Sequence, residues 1–250
     1  MSFDDGAPNR NTHTVSATSG GRIDLSGLDT IAAPTRSEDI VQFVVQGALS
    51  ELDLSSLQTF NGNGQARFDI AEGSLMLGSF ENGGTLTARQ GGNIDINGSF
   101  TQTTGSTTLQ DGTLDITGVS NLQGGAIVGS GIINTLELTN DSLINPGNGV
   151  GTLDLNGDYT QTGNGLLNIE LGGDTAGEFD QLLISGTASL AGTLNVSLVN
   201  NYTPEIGDSF EVLNFSDRIG DFTTINLPTL PAGLDFQAQF DANRLLLTVI

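Results

Sequence analysis

Short segments in which two aliphatic residues flank an acidic residue recur over the first two thirds of the chain. Examples are Ile23-Asp24-Leu25 and Ile94-Asp95-Ile96. Because side chains alternate between the two faces of a β-strand, this pattern predicts strands with one buried and one exposed face. The acidic positions of the seven copies are Asp24, Asp53, Asp69, Asp95, Asp115, Glu137 and Asp154.

The spacing of these copies indicates how the strands are arranged. Successive acidic positions are 29, 16, 26, 20, 22 and 17 residues apart. A longer match supports the repeat, because residues 93–103 (NIDINGSFTQT) align with residues 152–162 (TLDLNGDYTQT) at a constant offset of 59. Repeated strand units of irregular length are typical of stacked coils. The sequence therefore predicts an all-β chain folded as a parallel β-helix (a β-solenoid), with coils of about 20 residues.

The pattern divides the chain into three parts. Residues 1–20 are polar, and we expect them to be disordered or to form a loose first coil. Residues 21–171 carry the repeated strands and form the predicted coils. Residues 172–250 have longer apolar segments and more aromatic residues, which predicts a C-terminal β cap. Within that cap, residues 234–240 and 245–249 flank a turn and predict a terminal hairpin.

One early segment has two possible interpretations. The apolar and β-branched run from Asp39 to Val45 predicts a buried strand. Residues 37–39 (SED) could instead cap a short helix. From about residue 50 to residue 171 the sequence shows no helical periodicity, and we expect no helix there.

Composition agrees with a thin core and restricts the chemistry. The chain has 35 glycines, only 36% hydrophobic residues and no tryptophan. Many tight turns around a narrow apolar column would need such a composition. Cysteine is absent, which excludes disulfides, thiolate metal sites and cysteine nucleophiles.

The charge disfavours two classes of partner. The formal net charge is −22, and all seven basic residues are scattered arginines. Binding to nucleic acid or to anionic lipid depends on clustered basic residues, so we expect neither, nor direct membrane insertion. The N-terminal residues lack the basic and apolar regions of a signal peptide. We therefore weigh a cytoplasmic protein against a piece of a longer exported chain, and favour the second.

If the repeated strands stack, their acidic residues form an outward ladder. Adjacent strands lie about 4.8 Å apart, and two charges at that distance repel by roughly 1 kcal/mol in water. The interpretation we favour is a solvated face that prevents aggregation and binds no metal or cofactor. The alternative is a Ca²⁺ site built from oxygen ligands. Its candidate ligands are Asp69, Asp95, Asp115, Glu137 and Asp154.

Other candidate sites are weaker. Asp174, Glu178 and Asp180 lie in a Gly-rich segment that could hold a cation, although a solvated turn is the simpler interpretation. The two Thr-Gln-Thr segments are explained better by cross-strand threonine pairing than by ice binding. The single histidine, His13, falls in the polar N-terminal part, so a serine hydrolase triad is hard to build. We predict no catalytic residues and expect no enzymatic activity.

The second half of the chain resembles passenger-type surface proteins. The segments that carry the resemblance are residues 144–161 (INPGNGVGTLDLNGDYTQ), 179–196 (FDQLLISGTASLAGTLNV) and 202–210 (YTPEIGDSF). They are similar to autotransporter passengers and haemagglutinin-like adhesins, over about residues 92–250. The resemblance implies a right-handed parallel β-helix displayed outside a bacterial cell, with a C-terminal folding cap and no catalytic residues.

The resulting hypothesis is a non-enzymatic module of an extracellular or bacterial cell-surface protein. It would act as an adhesin or a structural spacer, would belong to a longer chain, and would contact glycans or surface proteins of a host or neighbouring cell. A polysaccharide-active β-helix enzyme is the first alternative, because two suitable carboxylates suffice for glycoside hydrolysis. A cation-dependent surface-layer or matrix component is the second.

Overall fold

A computed structural model describes residues 10–32, 34, 36, 38–61, 65–231 and 233–250. Within these residues the chain is all-β, without helices. The strands of the first part are β1 (Thr12–Thr18), β2 (Arg22–Asp24), β3 (Thr30–Ala32), β4 (Ile40–Gln46), β5 (Glu51–Leu54), β6 (Thr59–Asn61), β7 (Gln65–Ala71), β8 (Ser74–Leu77), β9 (Phe80–Asn82), β10 (Thr85–Arg89), β11 (Asn93–Ile96), β12 (Phe100–Gln102) and β13 (Ser106–Ile116).

The second part continues in the same way. Its strands are β14 (Ser120–Leu122), β15 (Ala126–Asn140), β16 (Leu143–Pro146), β17 (Thr152–Gln161), β18 (Leu166–Leu171), β19 (Gln181–Ile184), β20 (Thr187–Leu190), β21 (Thr193–Leu198), β22 (Ser209–Asn214), β23 (Asp217–Gly220), β24 (Thr224–Asn226), β25 (Phe236–Phe240) and β26 (Arg244–Val249).

Parallel pairing sorts these strands into three columns. The first column runs β1, β4, β7, β10, β13, β15, β16, β18, β21, β24. The second runs β2, β5, β8, β11, β13, β15, β17, β19, β22. The third runs β9, β12, β14, β15, β17, β20, β23, while β3 and β6 form a separate parallel pair. The long strands β13 and β17 contribute to two columns each, and β15 contributes to all three. This large, mostly parallel sheet is consistent with the predicted β-solenoid.

Inward side chains of successive coils stack into one apolar core. In the first column the ring of Phe43 lies over that of Phe68, with centroids 4.9 Å apart. In the second column Leu52, Leu75 and Ile94 follow one another, all fully buried. Burying each such side chain stabilises the fold by roughly 1.5–3 kcal/mol. The predicted alternation is confirmed in all the repeated segments but one, because their apolar residues are buried or half-buried, whereas Leu136 is exposed.

The offset of 59 residues between the two matching segments corresponds to three coils, as predicted. In the third column Phe100 pairs with Ser120, which pairs with Leu138, and Leu138 pairs with Tyr159. In the second column the structural and the sequence matches differ by two residues. Strand pairing leads from Ile94 through Leu114 and Ile133 to Leu155, whereas the sequence alignment matches Ile94 with Leu153. Register irregularities within β13 and β15 accompany this difference.

Buried amide side chains line the interior of the third column. Asn82, Gln102, Asn140 and Gln161 are all buried there. The Asn82 amide donates to Gln102 Oε1 at 3.3 Å. Gln161 Nε2 donates to three backbone carbonyls at 3.0 Å each, those of Gly165, Ala191 and Thr193. These side chains satisfy carbonyls at the corners, where the sheet ladder is interrupted.

Three local predictions have clear outcomes. The buried strand over residues 39–45 is confirmed as β4. The short helix considered before it is not formed at residues 38 and 39, and residue 37 lies outside the described residues. Of the two possibilities for residues 1–20, the coil and not disorder applies to Thr12–Thr18, since this segment is β1 and pairs with β4 along its whole length. Residues 1–9 lie outside the described residues.

The C-terminal hairpin is confirmed. β25 and β26 pair antiparallel from Phe236↔Val249 to Phe240↔Leu245. β26 also pairs antiparallel with β22, the last strand of the second column. Phe210 lies between Phe179, Tyr202 and Phe236, with ring centroids 5.5–6.2 Å away.

Candidate functional site

The predicted single ladder of acidic residues is wrong. Strand pairing sets one outward row of the second column, which consists of Asp24, Asp53, Met76, Asp95, Asp115, Asn134 and Asn156. Asp69 lies in the first column on β7, and Glu137 lies beside the third column, paired with Asp158. Asp154 is in the second column but two residues out of the row, next to Ile132. The five candidate calcium ligands are therefore not brought together.

Neighbouring groups offset much of the charge that the ladder would have carried. The guanidinium of Arg89 binds both carboxylate oxygens of Asp69, at 2.7 and 3.3 Å. The Asn134 amide donates to Asp115, and the Asn156 amide donates to Asn134 Oδ1 at 2.7 Å. An amide in place of a carboxylate removes a repulsion and adds a hydrogen bond.

Two pairs of adjacent acids remain in the row: Asp24 with Asp53 on β2 and β5, and Asp95 with Asp115 on β11 and β13. Burial raises the pKa of Asp95, and the charge of Asp115 raises it further. Among the described residues, no group of three or more histidine, aspartate or glutamate side chains could hold a metal ion.

The acidic cluster near residue 175 divides in two. Asp174 and Glu178 are exposed, as a solvated turn requires. Asp180 is almost fully buried, so the solvated-turn interpretation is wrong for this residue. Its Oδ1 accepts from the Gly151 N–H at 2.7 Å, and its Oδ2 accepts from the Glu170 N–H at 2.9 Å.

The position of Asp180 follows from a break in the first column. β16 pairs with β18 only through Leu143 and Ile144, whereas β18 pairs with β21 along all six residues. β16 ends at Pro146, which has no N–H, and Gly147 follows with a φ of +83°. The chain therefore turns away from β18. The Asp180 carboxylate and N–H pair instead with the Glu170 backbone.

This break leaves a pocket, which we call the Asp180 pocket. It has a volume of about 390 Å³ and lies between the turn at residues 146–149 and the outward faces of β18 and β21. Its polar residues are Asn145, Asn148, Asn168, Glu170, Asp180, Asn195 and Ser197. A concave site with a few convergent polar groups is where a protein of this kind would hold a small ligand.

The electrostatics of the Asp180 pocket are unusual for so acidic a chain. Burial raises the pKa of Asp180 to about 7, and the nearby charge of Glu170 adds to the rise. The hydrogen bonds from Gly151 and Glu170 oppose this rise without cancelling it. Near neutral pH the pocket therefore contains one carboxyl group that holds a proton for part of the time.

An asparagine row runs through the pocket. Asn168, Asn195 and Asn226 are register partners on β18, β21 and β24 of the first column, and Asn145 follows the last residue of β16 that pairs with β18. The Asn195 amide donates to Asn168 Oδ1 at 2.9 Å, and the Asn226 amide donates to Asn195 Oδ1 at 2.8 Å. Asn145 Oδ1 is buried and has no hydrogen-bond partner among the described residues.

Sequence reasoning missed this pocket, although two signals were present. In the sequence, residues 144–149 stand out only as part of the resemblance to surface proteins. The segments 167–171 (LNIEL) and 194–198 (LNVSL) share the order aliphatic, asparagine, aliphatic, polar, leucine. Aligned as neighbouring strands, they would have placed Asn168 beside Asn195. The position of Asp180 could not be read from the sequence, because it depends on where β16 ends.

His13 and the remaining acids lie apart from this site. His13 is on β1 in the first coil and not in a disordered segment. Asp154 borders a separate hollow of about 380 Å³ together with Asp111 and Ser130.

Comparison with known proteins assigns no family. No protein-family model matches the chain, and no curated protein is significantly similar to it. Across the described residues there is no helix long and apolar enough to cross a membrane.

Proposed function

We propose that this chain is a non-enzymatic module of an extracellular or cell-surface protein, in which stacked coils form a stiff spacer with an adhesive face. The observation that carries the proposal is that parallel pairing connects successive strands in all three columns, although in the first column only Leu143 and Ile144 pair β16 with β18. Each coil contacts only its neighbours, and backbone hydrogen bonds connect neighbours along the columns. Bending such a stack strains those bonds, so it holds its two ends apart.

The finer architecture that we propose is a right-handed β-helix with a C-terminal cap. Crossover connections between parallel strands of one sheet are right-handed in about 98% of cases. The β25–β26 hairpin lies against β22 and offers no further parallel edge on the second column. A terminal element of this kind protects the last coil from edge-to-edge association.

The surface location rests on the resemblance of residues 144–210 to autotransporter passengers and haemagglutinin-like adhesins. The composition supports it, since a chain without cysteine and with a net charge of −22 suits export and solubility outside the cell. Partners of the adhesive face would be glycans or proteins of another surface, and the chain would be one part of a longer protein.

Coil deletions test this proposal. Fluorescent beads coated with the chain would be assayed for binding to a glycan array and to bacterial and mammalian cells. Removing residues 20–170 deletes most of the coils and is expected to abolish binding. Removing residues 106–125 deletes one coil in register, because Thr85 pairs with Ser106 and Ser106 with Ala126.

The one-coil deletion is the matched control. It should fold, and the rod should shorten by about 4.8 Å, which small-angle scattering would detect as a smaller maximum dimension. Bead binding should survive, because the remaining coils keep their faces. Unchanged binding after removal of residues 20–170 would contradict an adhesive role for the coils.

A second candidate is a polysaccharide-active enzyme, which one observation favours. Asp180 has a raised pKa and lies beside Glu170 in the same pocket, and glycoside hydrolysis uses two carboxyl groups of different acidity. Incubating the protein with neutral and acidic polysaccharides and measuring reducing ends and unsaturated uronates separates the candidates. Product formation that disappears in Asp180→Asn would replace the spacer proposal with an enzymatic one.

A further inference from the structure

The outward faces of β18 and β21 present four polar side chains in a compact arrangement. Asn168 is the register partner of Asn195, and Glu170 is the partner of Ser197. Neighbouring strands lie about 4.8 Å apart, and side chains two residues apart on one strand are separated by about 6.6 Å. These four groups therefore outline a small rectangle, comparable in size to one sugar ring.

The rest of the Asp180 pocket adds hydrogen-bonding groups around this rectangle. Asn145 Oδ1, buried and without a partner among the described residues, lies at the next outward position of the same column. The turn at residues 146–149 closes one side of the pocket with Pro146, Gly147, Asn148 and Gly149. A buried acceptor without a partner is unfavourable unless a ligand or water donates to it.

The chemistry of the lining excludes several ligand classes. None of the pocket's described lining residues is basic, and Glu170 is acidic, so an anion would be repelled. The apolar side chains of the lining are Val128 and Pro146, too few for a hydrophobic ligand. The described residues offer no cluster of three metal-ligating side chains, and a pocket of about 390 Å³ is much larger than an ion.

Hydroxyl groups fit what remains. Each hydroxyl can donate to a carboxylate or amide oxygen and accept from an amide N–H, and the lining supplies all three groups. We propose that the Asp180 pocket binds a ring of a neutral saccharide, with Glu170, Asn168, Asn195 and Asn145 contacting its hydroxyls. This inference rests on the proposed adhesive function, because it names the chemical class that the adhesive face contacts.

The test uses the whole chain and defined sugars. Side-chain amide signals of ¹⁵N-labelled protein would be followed by NMR during titration with glucose, galactose, mannose, cellobiose, lactose and maltose. Galacturonate, glucosamine and Ca²⁺ serve as charged probes. At least one neutral sugar should shift the Asn168 and Asn195 amide signals with a millimolar dissociation constant, and galacturonate should bind at least tenfold more weakly.

Three variants locate the binding. Glu170→Ala should weaken binding of that sugar at least tenfold. Ser197→Tyr should abolish it, because an exposed strand residue at the pocket is replaced by a ring that fills it. Asn156→Ala is the matched control, since Asn156 is also an exposed asparagine in an outward row but lies in the second column and does not line the pocket, and it should bind as the unaltered chain does.

The contrary outcomes are equally specific. The inference is overturned if no neutral sugar shifts these signals, if binding survives Ser197→Tyr, or if glucosamine or Ca²⁺ binds more tightly than every neutral sugar. The bead assay separates the two proposals. Adhesion that persists in Ser197→Tyr while sugar binding is lost leaves the adhesive function standing and removes the pocket as its ligand site.

Discussion

Single polar residues in the interior fix the corners of the coils. Gln161 is buried and uses both ends of its amide: Nε2 donates to three backbone carbonyls, and Oε1 accepts from the Tyr159 hydroxyl at 2.7 Å. Gln161→Ala would leave these groups buried without a partner, and we expect a loss of about 3 kcal/mol in the free energy of unfolding. Chemical denaturation measures it.

The control for Gln161→Ala is the same substitution at an exposed glutamine. Gln123 is exposed, and Gln123→Ala should change the free energy of unfolding by no more than about 0.5 kcal/mol. Equal losses in the two variants would show that the buried amide contributes no more than a surface residue.

Asp180 makes stability depend on pH. Its pKa of about 7 in the folded protein exceeds the ordinary value of about 3.9, so between these values the folded state holds a proton that the unfolded chain releases. Its contribution to stability is therefore complete below about pH 4 and is lost as the pH rises through 7. Asp180→Asn cannot ionise and should lack this loss.

The comparison is made as a difference in melting temperature between wild type and Asp180→Asn from pH 5 to pH 8. The substituted amide has one acceptor oxygen and would satisfy only one of the two backbone N–H groups. The variant should therefore be less stable at pH 5, and the gap should narrow as the pH rises. The titration of the other acidic residues affects both proteins equally and cancels in this difference. Melting-temperature profiles that run parallel from pH 5 to pH 8 would exclude the raised pKa of Asp180. Asp174→Asn controls for the loss of one exposed charge in the same loop.

At the scale of strands and turns, close contact between coils is what glycine permits. Gly105 has a φ of +69°, and a Cβ placed there would lie 1.9 Å from the Gly84 carbonyl oxygen of the preceding coil. Gly91 has a similar φ of +76°, but no described heavy atom lies within 4 Å of a Cβ placed there. Both alanine variants carry the strain of a left-handed backbone, about 1 kcal/mol.

The difference between the two variants isolates the contact. Gly105→Ala should destabilise the protein by roughly 2 kcal/mol more than Gly91→Ala, because β10 and β13 must separate or shift at the corner. Thermal unfolding of both proteins provides the measurement. If Gly91→Ala were equally damaging, backbone strain alone would account for both effects.

Strands and their buried faces could be predicted from the sequence, but the column of each strand could not. Ile94 and Ile96 show which face of β11 is inward, because alternation is a local property. The segment around Asp69 has the same alternation yet belongs to the first column, and the position expected for it is held by Met76 on β8. Column membership depends on which backbone pairs with which, and similar side-chain patterns occur in more than one column.

The candidate site shows the same limit at a larger scale. In the sequence nothing in residues 146–149 marks a pocket, although the segment belongs to the surface-protein resemblance. The pocket itself needs three things at once: an early end to β16, a β18 that continues, and the return of the chain at Asp180 to pair with Glu170. These elements are separated in sequence by up to 35 residues, so only the folded chain brings them together.

For the whole molecule, the net charge of −22 is spread over separate positions rather than gathered into a site. In the outward row of the second column Met76 separates two pairs of acids and Asn134 and Asn156 follow the second pair, while Arg22 lies 3.3 Å from Glu51 at the beginning of the row. Adjacent carboxylates such as Asp95 and Asp115 still repel one another. Cations should therefore stabilise the protein by screening, without a preferred ion.

Melting temperatures in CaCl₂ and MgCl₂ at equal millimolar concentrations test this expectation, with NaCl at matched ionic strength as the control. Screening depends on ionic strength and charge, so the two divalent salts should raise the melting temperature equally. Ca²⁺ differs from Mg²⁺ in accepting six to eight oxygen ligands in flexible geometry, so a built site would distinguish them. A rise of several degrees with Ca²⁺ alone would mean that carboxylates and carbonyls of neighbouring coils converge on an ion. A cation-dependent surface component would then replace the spacer as the better description of the molecule.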